Sequence, residues 1–148
     1  MPTSNARLGY GTILKRRIAT SPLTYQELAE IHHITGPTLK RDVPDVTHMK
    51  SPDGYKEFLA GLKEGGDVTI EGNWVPDDAT QRASTGLLSE FGSDVRGHWI
   101  LEFADAGLSP SVQWEFDAVM TGFDLAMPVD NKMTFTAVLK ISGKPTLA

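Results

Sequence analysis

The chain of 148 residues contains no cysteine. That absence removes disulfide scaffolds, thiolate zinc sites and cysteine nucleophiles together. No run of 18 or more apolar residues occurs, which excludes a helical membrane span. The start, Met1-Pro2-Thr3-Ser4-Asn5, has no apolar stretch behind basic residues and does not read as a secretory signal. Basic charge is also scarce, with 14 Lys and Arg against 19 Asp and Glu, net −5, whereas nucleic-acid binders are usually basic. Phosphate-cradling loops are missing, because Gly9-Tyr10-Gly11 and Gly65-Gly66 lack the strand–loop–helix context and the lysine. The G-x-S-x-G nucleophile motif is missing too.

Hydrophobic residues at 40% and charged residues at 22% are ordinary for a globular chain, and the length fits a single domain, 1–148. Charge is unevenly spread. Residues 1–50 carry seven cationic and four acidic side chains, and residues 51–148 carry seven and fifteen. A basic first third beside an acidic remainder suggests surfaces that attract one another.

Residues 1–22 form a polar N-terminal arm with one strand candidate, Thr12–Arg17, whose triplet Lys15-Arg16-Arg17 reads as a solvated strand edge. Residues 24–34 fit a helix face or a twisted strand equally well. Residues 36–50 hold two prolines, no sustained period and the apolar residues Leu39, Val43, Val46 and Met49 beside Lys40, Arg41 and Lys50. Such a segment reads as an extended interaction arm. Residues 51–64 predict a helix, with Ser51 as N-cap, Pro52 at the first turn and Tyr55, Phe58, Leu59 and Leu62 as one apolar stripe packed on the sheet. A second, short helix is predicted at 78–91, with Ala83 or Ser84, Leu87, Leu88 and Phe91 inward.

Strands follow from clean alternation. Val68, Ile70 and Trp74 share one face of 67–74; Trp99, Leu101 and Phe103 alternate with His98 and Glu102. Val112, Trp114, Phe116, Ala118 and Met120 form a third apolar row, and Met133, Phe135, Ala137, Leu139 and Ile141 a fourth. The expected fold is α+β, mainly β: two packed antiparallel sheets in a sandwich, a flanking α-helix, a second short helix and a long arm. Its polar strand faces are rich in Thr, Asp and Glu.

Chemistry is sparse. Adjacent His32 and His33 point to opposite faces of a strand and do not chelate one ion with His48. Glu115 and Asp117 sit on one strand face and read as polar surface rather than an acid/base pair. Trp74, Trp99 and Trp114 lie on apolar rows and read as core. No catalytic, metal or cofactor site is expected, and the residues point to a binding or structural module.

The segment DVTHMKSPDGYKEFLAGLKEGGDVTIEGNW, residues 45–74, resembles the major tail tube proteins of long-tailed, non-contractile phages, the lambda-type family. Residues 77–91 and VMTGFDLAMPVDNKMTFTAVLKISGKP, 119–145, resemble later segments of the same family. The resemblance implies a structural virion protein made in the bacterial host cytoplasm. Its subunits form homo-hexameric rings stacked into a tube that conducts DNA without binding it. Tape-measure, tail terminator and baseplate proteins would be its partners, and a membrane would not. It also implies that Leu39, Lys40, Arg41, Val43, Val46 and Met49 contact a neighbouring ring. Glu71, Glu115, Asp117 and Asp124 would face the lumen, Asp124 as the weaker candidate, and no C-terminal immunoglobulin-like domain is expected. A terminator, baseplate hub or type VI secretion tube subunit, or a small ligand-binding β-domain, stands as the alternative.

Overall fold

A computed structural model describes Ser4, residues 9–103 and residues 112–147. Nine strands occur in it: β1 Ile13–Thr20, β2 Leu23–Glu27, β3 Ile31–Thr35, β4 Lys40–Arg41, β5 Lys63–Glu64, β6 Asp67–Asn73, β7 Gly97–Glu102, β8 Gln113–Ala126 and β9 Thr134–Leu147. Seven form one antiparallel sheet in the order β2-β1-β7-β8-β9-β6-β3, and β4 pairs with β5 apart from it. Ala104–Pro110, expected from the sequence as a connecting loop, and most of residues 1–8 lie outside the described residues.

The apolar alternation places each of the four long predicted strands correctly. On β6, Val68 and Ile70 are fully buried; on β8, Phe116, Ala118 and Met120; on β9, Phe135, Ala137, Leu139 and Ile141. Trp99 is fully buried, while Trp74 and Trp114 pack against the same core at its margin. Trp74, Phe123 and Phe135 meet as an aromatic cluster with centroids 5.6–6.2 Å apart. Residues 24–34, ambiguous in sequence, are the two edge strands β2 and β3.

The two-sheet sandwich is a correction. Alternation shows that a strand has one apolar face, but not what covers it. Here one sheet bends back over its own apolar side. Its two edge strands, β2 and β3, are joined by only three residues, 28–30. Those residues span at most about 15 Å, so the two edges lie close together. Register shifts in β8 between Glu115 and Asp117, and between Met120 and Gly122, supply the bend.

Both predicted helices are also corrections. Among the described residues the longest helical segment is the four-residue 3₁₀ turn Leu87–Glu90. The 51–64 stripe fails because its own glycines oppose it, each costing about 1 kcal/mol in a helix interior. Asp53 and Gly54 turn the chain with φ of 54° and 73°. At Gly61 a β-carbon would lie 2.7 Å from the Asp42 carbonyl oxygen, so the segment there approaches its neighbour backbone to backbone. Tyr55, Phe58, Leu59 and Leu62 are consequently 55–83% exposed instead of packed on the sheet.

At 78–91, side chains take the backbone's hydrogen bonds. The Asp78 carboxylate accepts from the Thr80 amide at 2.7 Å and its hydroxyl at 2.6 Å, which holds its pKa below the usual carboxylate range. Gln81 is fully buried. Its amide donates to the carbonyls of Ala29 and Asn73, and its oxygen accepts from the Val75 amide, tying three segments together. Leu87 is buried, whereas Phe91, expected inward, is 56% exposed.

Candidate functional site

Two surfaces stand out: a protruding arm and the polar face of the sheet. The arm is a long hairpin, with residues 40–46 running against 57–64. At its root Lys40 pairs with Glu64 and Arg41 with Lys63. Further out, the Asp42 amide donates to the Leu62 carbonyl and the Leu59 amide to the Pro44 carbonyl. The Val46 amide then donates to the Glu57 carbonyl. Pro44 accepts but cannot donate, so the ladder is thin. The tip is tied by polar side chains. The Ser51 hydroxyl donates to Glu57 at 2.6 Å, and Thr47 lowers the Asp45 pKa through its side-chain hydroxyl first and its backbone amide second.

Of the arm residues named from sequence, Leu39, Val43, Val46 and Met49 are all exposed, Met49 entirely. Lys40 and Arg41 form β4. With Tyr55, Phe58, Leu59 and Leu62 on the other limb, eight large apolar side chains stand in solvent on one projection. An isolated two-stranded hairpin is marginal in water, and contiguous apolar surface of this kind marks an interaction site.

At the root, Lys140 on β9 donates to the Glu64 carboxylate at 2.6 Å and lies 4.0 Å from Asp67. The hydrogen bond and the charge of Lys140 hold the Glu64 pKa below its usual range, and Glu64 raises that of Lys140. The Glu64 contribution is therefore present above the ordinary carboxylate range and fades as pH falls through the lowered value. In Lys140→Met, a carboxyl NMR titration is expected to show Glu64 returning toward its usual pKa. The melting temperature should barely move, because exposed ion pairs contribute little. An unmoved Glu64 titration would mean that the pair does not hold in solution.

Glu71, Glu115, Asp117 and Asp124 do share one face of the sheet. Thr136 on β9 is paired with Glu71 of β6 on one side and Asp124 of β8 on the other. Neighbouring strands are about 4.8 Å apart, so those two carboxylates flank one threonine. Glu115 and Asp117 converge on His98 of β7. Its Nδ1 is 2.9 Å from Asp117, and its Nε2 is 3.9 Å from Glu115. The same face carries Glu27, Asp67 and Glu102 against Lys15, Arg17 and Lys140, and Arg96 reaches it through Ser142, so carboxylates outnumber cations there. Lys132 precedes β9.

Sequence reasoning missed two residues. His98 was placed on the polar row, but its role between two carboxylates depends on the β7–β8 register. Arg16, expected at a solvated edge, is buried. It donates to Glu90 at 2.7 Å, to Gln26 at 3.0 Å and to the Thr85 carbonyl at 2.8 Å. The signal was its i+2 spacing from Leu14, which shares the inward face.

One curved sheet with an acidic polar face therefore stands beside an arm whose apolar side chains no other described residues cover. The family model of the lambda phage tail tube protein matches residues 11–148. The chain belongs to the lambda phage tail tube protein family. No curated protein matches it significantly in sequence. Solved structures similar to this tail tube protein include the tail of an empty gene transfer agent particle, refined helically with C6 symmetry. That match has 18% identity and a TM-score of 0.72, and covers 97% of this chain and 99% of the other. A sheath/tube terminator of an extracellular contractile injection system matches at 10% identity and TM-score 0.72, covering 99% of each. The SPP1 tail tube matches at 8% and 0.70, covering 95% and 77%. At these identities the likeness is one of fold.

Proposed function

We propose that six copies of this tail tube protein close into a ring. Rings then stack through the arm, and the polar sheet face lines the channel for DNA. The observation that carries the reading is the arm, which displays eight apolar side chains that no other part of the described chain covers. The C6 symmetry of the gene transfer agent tail supports six subunits per ring. A ring repeats each carboxylate sixfold, and stacked rings make a negative wall. Cations there would bind phosphates with counterion release, which is adhesion; carboxylates leave DNA free to slide. The Debye length is about 8 Å at physiological salt, so the wall acts at close range as a non-stick coating. The tape-measure protein inside, and terminator and baseplate proteins at the ends, complete the assembly as family partners.

Electron microscopy of the purified chain tests the reading: rings and tubes of indefinite length are expected. Single rings that never lengthen would favour a terminator, and discrete monomers a ligand-binding domain. For the lumen, Glu71→Lys, Glu115→Lys and Asp117→Lys together are expected to leave tubes intact and slow or block DNA ejection. Normal ejection kinetics would move this face to the outside of the tube.

A further inference from the structure

Among the described residues the β8–β9 hairpin is a second apolar projection in addition to the arm. Around its turn Leu125 is 41% exposed, Met127 65%, Val129 106% and Met133 38%. Its Asp130 is exposed and makes no hydrogen bond or ion pair with any described residue. The two projections leave the sheet at opposite ends. The arm follows β3 and precedes β6, whose first residue, Asp67, pairs with Lys140 toward the far part of β9. The hairpin turn lies beyond the other end, where Asn73 pairs with Thr134.

A groove of about 740 Å³ opens at the arm's root. Leu39, Trp114 and Ile141 give it an apolar floor, and Lys40, Arg41 and Lys144 give it a cationic rim. The one carboxylate lining it, Glu64, is engaged by Lys140. Its size suits a few side chains. The hairpin turn offers the complement: Met127 and Val129 for the floor and the free carboxylate of Asp130 for the rim.

We propose that the β8–β9 turn of one copy seats in the arm-root groove of the next. This rests on the tube reading above and names the receiving site of the stack. The contact joins unlike surfaces, so it does not close between two copies and generates an open series. It also sets the arm of the second copy alongside the body of the first.

The test uses Val129→Asp and, separately, carbodiimide coupling of wild-type tubes. Val129 is fully exposed, so the variant is expected to melt like wild type. It should need at least about tenfold more subunit to polymerise, as expected when a buried anchor is lost. In wild-type tubes, coupling should join Asp130 to Lys144 or Lys40. Within one copy Lys144 lies roughly 34 Å along β9 from Thr134, too far for a direct amide, so such a link is between copies. Polymerisation of Val129→Asp at the wild-type concentration overturns the proposal. So does coupling of Asp130 only to lysines outside the groove. Failure of the wild-type chain to form rings or tubes overturns the tube reading itself.

Discussion

Replacing residues 42–62 by Asn-Gly is expected to yield a subunit that folds as well as wild type and never forms tubes. Arg41 and Lys63 are paired across the root, so a two-residue type I′ turn joins them without disturbing the register. The deleted side chains are nearly all exposed, and their hydrogen bonds are within the arm. Shortening the connection from 21 residues to two lowers closure entropy, which stabilises by at most about 2 kcal/mol. Stacking, in contrast, loses seven of the arm's eight exposed apolar side chains. Thermal melting and electron microscopy of the variant decide the matter. Long tubes from trimmed subunits would remove the arm from the inter-ring contact. A clear drop in melting temperature would show that the arm packs on its own body.

Arg16→Met is expected to destabilise the isolated subunit by about 3–5 kcal/mol, because it strands a buried carboxylate. The side chains of Arg16 and Glu90 are only 8% and 12% exposed. Arg16 fastens residues 85–90, through Glu90 and the Thr85 carbonyl, to β1 and to Gln26 on β2. A loss of that size is a large share of a domain's usual stability. The double variant Arg16→Met, Glu90→Leu should recover most of it, since two apolar side chains replace a pair whose desolvation offsets its attraction. Chemical denaturation of the four proteins of this cycle measures the coupling. Additive losses would show that the two residues act independently.

Legibility in the sequence followed periodicity. Period two is local and needs no knowledge of partners, so β6 to β9 and their apolar rows could be read directly. The same alternation put Glu71, Glu115 and Asp117 on polar faces, and the register then joined those faces into one. The helix at 51–64 misled because Tyr55, Phe58, Leu59 and Leu62 also suit a projecting hairpin whose apolar side chains serve another molecule. Helical spacing says nothing about whether the body has room to bury a stripe. Gly54 and Gly61 within it were the available warning. The second helix failed where Gln81 turned inward to serve three backbone segments, a tertiary event with no sequence period. The sandwich failed because curvature comes from bulges in β8, and a bulge leaves no mark in alternation short enough to read.

The thinness of the arm's ladder has a consequence for the subunit before it assembles. A long apolar hairpin held at high concentration is a template for edge-to-edge aggregation. Here Pro44 removes a donor from one limb. Lys40, Arg41, Lys50, Lys56 and Lys63 distribute positive charge along both limbs. Those features interrupt the regular strand pairing that fibrils require, while leaving side-chain packing open. The newly made subunit thus carries its own protection against the wrong polymer, so a pool can accumulate until growth of the right one begins.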